Sequence, residues 1–284
     1  MKSENIPSII QADALANLQK TQRIIIAEAG NGALAKKDYD HLHLRHALYL
    51  DLDSQLAEVP ENAANGGRHP LPKIEKFAET LSAMGISKED HIVVYDRKHG
   101  ANAAARFWWM LKSAGFEKVQ VLNGGFQAAQ RANFPINSDP VIPQKIHRYA
   151  LDSWKLPTVG IKEVEAFASD PKSIVIDVRE SIRYDGKKEP IDLVAGHIPG
   201  AINIPFAENL NDNGEFLLPE VLRSKYEMAL NGIDPEHITV HCGSGVTACH
   251  TLLAMDFAGL EIPNLYVGSW SEWSRSEQPI ATNV

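Results

Sequence analysis

Cysteine is scarce in this chain: 284 residues hold two, Cys242 and Cys249. Two cysteines do not make a disulfide scaffold. A single helical stretch separates them, so a bridge between them is not expected. Long apolar runs are missing too, and no window approaches the roughly 20 apolar residues of a membrane span. Met1 to Ala14 shows no long apolar run and no cleavage pattern, so no leader is expected. Positive charge is not in excess. The net charge of -8 argues against a nucleic-acid or anionic-membrane surface. What is present, 44% hydrophobic and 23% charged residues, is the balance of a soluble globular protein long enough for two domains. A reducing cytoplasm is the expected compartment, and it suits a working thiol.

The chain repeats itself. Met84 to Ile136 and Leu230 to Ile280 share a pattern: an apolar strand, then A-G-F or A-G-L, then a late P-I. With Ile92 set on Ile238, Asp96 falls on Cys242. With Gly115 on Gly259, Gly124 falls on Gly268 and Pro135 on Pro279. The second copy is two residues shorter, in or near the turn after the cysteine. Each half also opens on a strand, Arg23 to Glu28 and Ser173 to Val178, and carries apolar helical stretches such as Ala103 to Ala114 and Thr247 to Ala258. Strands alternating with helices predict a parallel, helix-covered sheet in each half, an α/β fold. The proline-bearing stretch Asn137 to Gly160 reads as a linker. The expected division is 1–140, linker 141–158, and 159–284.

Cys242 lies where chemistry is expected. Ile238 to His241 read as a buried strand, Gly243 and Gly245 as a pliable turn, and Thr247 to Met255 as a helix. A cysteine between a strand end and a helix start has backbone N–H groups and the helix dipole aimed at its sulfur, which stabilises a thiolate. Cys249, inside the helix among apolar residues, reads as core. Asp96 cannot carry sulfur, so the first half reads as a non-catalytic partner that helps wall the site.

Taken together, four motifs resemble the tandem-domain rhodaneses, and among them the 3-mercaptopyruvate sulfurtransferase type. They are C-G-S-G-V-T-A at 242 to 248, A-G-H-I-P-G-A-I-N-I-P-F at 195 to 206, G-S-W-S-E-W at 268 to 273 and G-G-R-H-P-L-P at 66 to 72. The resemblance implies two rhodanese-like domains and a persulfide cycle on Cys242. Sulfane sulfur comes from mercaptopyruvate or thiosulfate and leaves to cyanide, a small thiol or thioredoxin, with no metal or organic cofactor. It implies substrate contacts from Gly243, Gly245 and Val246, hydroxyl donors at Ser244 and Thr247, and a substrate-anion arginine at Arg183. It also implies a relay to Ser244 from Asp53 and His69. The thiosulfate type carries two basic residues after the cysteine, and here Gly243 and Ser244 stand instead. The mercaptopyruvate type often has a second arginine after an E-P pair. This chain has Glu189, Pro190, Ile191, Asp192, leaving Lys187, Lys188 or Arg179 as the nearby cations.

Other readings are weaker. A cysteine phosphatase needs C-x5-R, and the arginine position is Ala248, so a phosphate dianion would lack its counter-charge. A non-enzymatic persulfide carrier would share the loop and is separated by steady-state turnover. His197 and His241 read as structural. His41, His43 and His46 lack the accompanying ligands of a zinc site.

Overall fold

The computed structural model describes residues 6–32 and 34–283, so the opening residues of the Met1 to Ala14 stretch lie outside it. The chain divides into two compact units. One comprises Met1–Ala57, Pro72–Lys155 and Asp212–Glu215; the other comprises Glu58–Leu71, Leu156–Asn211 and Phe216–Val284. The short segment Glu58–Leu71, early in the chain, therefore packs with the second unit.

In the first unit the strands are β1 (Ile9–Ile10), β2 (Ile24–Gly30), β3 (His43–Leu44), β4 (Leu48–Asp51), β5 (His91–Tyr95), β6 (Val119–Leu122) and β7 (Ile136–Asn137). Among the described residues, five of them form a sheet in the order β1-β6-β5-β2-β4, and every pairing is parallel. β3 and β7 make a separate antiparallel pair. Helices α1 (Ala12–Thr21), α2 (Ala35–His41), α3 (Leu52–Gln55), α4 (Ile74–Ala83), α5 (Ala103–Ser113) and α6 (Gly125–Arg131) connect the strands. α5 buries Phe107, Trp108 and Trp109 completely, as a helix apolar on nearly all sides must. Residues 138–157 form no helix or strand. They are nonetheless fastened down, since Trp154 packs on Phe77 and Trp109 and Lys155 N–H donates to the Ser113 carbonyl.

The second unit repeats the plan. Its strands are β8 (Thr158–Val159), β9 (Ile174–Asp177), β10 (Ile202–Asn203), β11 (Ile238–His241) and β12 (Asn264–Tyr266). Among the described residues they form one parallel sheet in the order β10-β9-β11-β12-β8. Its helices are α7 (Ile161–Ser169), α8 (Ser181–Tyr184), α9 (Pro219–Leu230), α10 (Thr247–Phe257) and α11 (Ser269–Trp273). β11 is central, flanked by β9 and β12, and all four of its residues are buried. That is the rule for a parallel strand covered on both faces. The register sets His241 beside Asp177, so Cys242 leaves the sheet at the carboxyl ends of its strands. Open parallel sheets place their sites at that edge.

Among the described residues, no helix is long and apolar enough to cross a membrane.

Candidate active site

Strand β11 ends at His241 and α10 begins at Thr247, so residues 242–246 alone turn the chain. Cys242 is 1% exposed. The Ser244 N–H points at its sulfur, 3.5 Å away. Val246, the residue before α10, offers no side-chain cap, and the helix opens on the turn that carries the cysteine, the end at which its dipole favours an anion. The turn needs glycine at one position for its backbone and at the other for room. Gly245 has φ +71°, and a Cβ there would sit 2.5 Å from the Val267 carbonyl oxygen. Gly243 has no such backbone demand. A Cβ on it would meet the Arg68 Nη2 at 3.2 Å, the Arg183 Nη2 at 3.4 Å and an Asp192 carboxylate oxygen at 3.5 Å.

The closing motif of the sequence supports the turn from behind. α11 donates its Trp270 and Ser271 N–H groups to the carbonyls of Cys242 and Gly243, while Ser269 Oγ accepts from Cys242 N–H at 3.2 Å. The Glu58–Leu71 segment is tied to the same helix. Gly66 N–H donates to Glu272 and Arg68 N–H to the Ser271 hydroxyl, each at 3.0 Å. This docking brings His69 Nδ1 to 2.8 Å from the Ser244 hydroxyl. Ser244 therefore sets its amide on the sulfur and its hydroxyl against the histidine ring.

Arginines surround the turn. Arg183, on α8, is not a surface residue: its side chain is 10% exposed, and it donates to Glu189 and, at 3.3 Å, to Asp192. Burial opposes the Arg183 charge, but the hydrogen bonds it donates to Glu189 raise its pKa further above the ordinary value. Burial likewise opposes the Glu189 carboxylate, yet Arg183 and two backbone N–H groups hold it below the usual range. Asp192 is pushed upward by burial, against the pull of Arg68. Arg68 reaches Asp192 at 2.6 Å and Arg275 reaches it at 3.2 Å. Arg179 is occupied elsewhere. It is buried, grips Asp177 through Nε and Nη2, donates to Glu189 and Gly196, and stacks over Trp270. Lys187 pairs with Asp185 in solvent.

The structure thus gathers Cys242, Gly243, Ser244, Gly245, Val246, Thr247, Arg183 and His69 in one unit. Asp53 stands in α3 of the first unit. Sequence reading missed Arg68 and Asp192 as a pair. Arg68 was visible inside the 66 to 72 motif, but it lies far from Asp192 in sequence, and only docking on α11 joins them. His241 is fully buried, with its ring 3.8 Å from Asp177, and burial lowers its pKa. His197 stacks on Tyr184 at 3.8 Å and bonds its carbonyl. Cys249 is buried within α10, its thiol donating to the Gly245 carbonyl at 3.3 Å.

The first unit shows the same cradle filled by its own chain. Asp96 follows β5 as Cys242 follows β11, and its carboxylate accepts from the N–H groups of Lys98, Gly100, Asn102 and Ala104 at 2.8–3.2 Å. A cavity of about 280 Å³ opens beside it, but its arginine, Arg97, is bound to Glu28. An anion would find the amides taken.

Comparison with known proteins agrees with the duplication. A probable 3-mercaptopyruvate sulfurtransferase of Pseudomonas aeruginosa is 37% identical over 86% of this chain and 86% of its own length. A thiosulfate sulfurtransferase of Gallus gallus is 34% identical over 86% and 83%. The solved structure of 3-mercaptopyruvate sulfurtransferase from Leishmania major, 29% identical, superposes with a TM-score of 0.77 over 96% of this chain and 76% of that one. The rhodanese-like domain matches residues 11–132 and again 161–276, and the chain therefore belongs to the rhodanese-like family, with the domain present twice in tandem.

Proposed function

We propose that this protein is a sulfurtransferase that moves a sulfane sulfur from 3-mercaptopyruvate, through a persulfide on Cys242, to a thiol or cyanide acceptor. The observation that carries this reading is the cysteine in the uncapped mouth of α10, with the Ser244 amide on its sulfur and Arg183 beside the next residue. The Cys242 thiolate attacks the donor sulfur. The carbon–sulfur bond breaks, and its electron pair leaves on carbon as the enolate of pyruvate. The proton carried by the transferred sulfur ends on that carbon, giving pyruvate and a Cys242 persulfide anion. An acceptor then attacks the outer sulfur and the thiolate returns: cyanide leaves as thiocyanate, a thiol as its persulfide.

In this cycle Gly243, Gly245 and Val246 hold the amide cradle, and Thr247 opens the helix whose dipole favours the anion. Ser244, bonded to His69, donates a hydroxyl hydrogen bond to the developing enolate oxygen. Residues 159–284 supply the nucleophile, and a reducing compartment such as the cytoplasm keeps it a thiol. Thioredoxin or a small thiol is the acceptor, with neither nucleic acid nor membrane as partner. Thiosulfate is the second donor reading, because relatives of both names match at similar identity.

Cys242→Ser is expected to abolish transfer, and Cys249→Ser to keep most of it. After donor treatment, mass spectrometry should find one added sulfur on Cys242, removed by cyanide. A label on Cys249, or turnover by the Cys242→Ser protein, would refute the assignment.

A further inference from the structure

Resting on the reading above, we infer that Arg68 is the second arginine of the donor site, seating the carboxylate of a 2-oxo acid together with Arg183. After Pro190 the chain offers Ile191, which is 56% exposed and apolar. The cation missing there is supplied from Glu58–Leu71 instead. The Nη2 atoms of Arg68 and Arg183 lie within 3.2 and 3.4 Å of one point, the place a Cβ on Gly243 would occupy. That point is one residue from the nucleophile. An Asp192 carboxylate oxygen lies 3.5 Å from the same point, so the two guanidinium groups are held there by an acid, and glycine spares them a Cβ contact although no positive φ requires glycine.

The electrostatics favour an anion there. Arg68, Arg183 and Arg275 converge on Asp192, and Arg183 also holds Glu189. With Arg179, which bonds both Glu189 and Asp177, four guanidinium groups face three carboxylates. The remaining acid, Glu180, is 3.6 Å from Arg183 but 58% exposed, so water screens it. The Asp192 side chain is fully buried, while Arg68 and Arg275 keep 24% and 22% of theirs exposed. An entering anion meets guanidinium N–H groups before it meets the acid. Asp192 spends Arg68 Nη1 and so aims Nη2 at the turn. Two planar forks suit a carboxylate better than point charges would.

The test is a double-mutant cycle with 3-mercaptopyruvate and with pyruvate as product inhibitor. Arg68→Gln should raise the donor KM and the pyruvate inhibition constant at least about tenfold, with a smaller change in kcat. Arg68→Lys should recover only part of that, since it keeps charge but not the fork. Arg68→Gln with Asp192→Asn should stay impaired. If the double variant regains the parent KM, Arg68 only neutralises Asp192 and the inference is wrong. An unchanged KM in Arg68→Gln overturns it equally. Should the Gln variant fail to fold, as judged by thermal unfolding, Arg68→Lys decides: a KM raised severalfold supports the seat, and a parental KM ends it. These outcomes leave the sulfurtransferase reading standing. That reading falls only if the unsubstituted protein turns over neither mercaptopyruvate nor thiosulfate.

Discussion

Arg183 shows how one side chain can serve both binding and architecture. It closes the Glu189 carboxylate with three hydrogen bonds and touches Asp192. Arg183→Ala therefore has two expected effects. Losing a charge-assisted contact to the donor costs about 1.5–3 kcal/mol, roughly ten- to a hundredfold in kcat/KM, mainly through KM. Leaving buried Glu189 with only Arg179 and two backbone N–H groups also lowers the melting temperature, by less than the about 3–5 kcal/mol that a fully unpaired buried charge would cost. Arg183→Lys should recover more of the stability than of the KM. Unaltered kcat/KM in the alanine variant would remove Arg183 from the donor site.

At the scale of the element, the strand–turn–helix of residues 238–257 and its first-unit counterpart differ by a residue type and a loop length. Helix α5 starts seven positions after Asp96 (103 against 96), and α10 starts five after Cys242 (247 against 242). The longer loop wraps its amides around a carboxylate, while the shorter one closes on sulfur. Gly245 makes the shorter turn possible. Gly245→Ala should cost about 1–2 kcal/mol in left-handed backbone strain, with more for the collision at Val267. A melting temperature several degrees lower and a reduced kcat/KM are expected, whereas an unchanged melting curve would show that the turn tolerates a side chain. Gly243→Ala should spare the fold, since that backbone is ordinary, and raise the donor KM, since Arg68 and Arg183 must give way.

For the whole molecule, each unit carries a buried histidine with a lowered pKa: His91 in the first and His241 in the second. Burial is the leading cause at both. Such a group takes up its proton less readily folded than unfolded. Below the ordinary value of 6.5 the unfolded chain binds more protons, so stability falls as pH drops from there towards the folded pKa and is complete above 6.5. Melting curves between pH 8 and 5 should show this loss. His91→Gln should flatten it for the first unit and His241→Gln for the second; slopes untouched by either change would contradict the assignment. Donor choice is the other property of the whole chain. Thiosulfate is a dianion that needs positive charge beside the sulfur throughout transfer, and the turn itself supplies none. Mercaptopyruvate should be preferred at least about tenfold in kcat/KM, roughly 1.4 kcal/mol in the transition state. A measured preference for thiosulfate would overturn this. Placing Arg at 243 is not expected to convert the enzyme, because that side chain would enter space held by Arg68 and Arg183.

Periodicity and punctuation in the sequence determined both parallel sheets, the strand before Cys242, the helix after it and the two-residue difference between the turns. These are local matters: β-prone apolar runs, glycine at the turn and an apolar helix carry their own signal. The sequence also separated Cys242 from Cys249, since only one stands at a strand end. Both glycines read alike there, as a pliable turn; the structure separates them, Gly245 being needed for its backbone and Gly243 for the space in front of it. Only the tertiary structure decided that Glu58–Leu71 docks on α11, that Arg68 and Arg183 share Asp192, and that Arg179 is taken up by Asp177. The docking of Glu58–Leu71 and the Arg68–Asp192 pair join residues far apart in the chain. Arg179 and Arg183 find acids close in sequence, but which of the several nearby carboxylates each one takes is set by how the surfaces fold together, which no local pattern encodes.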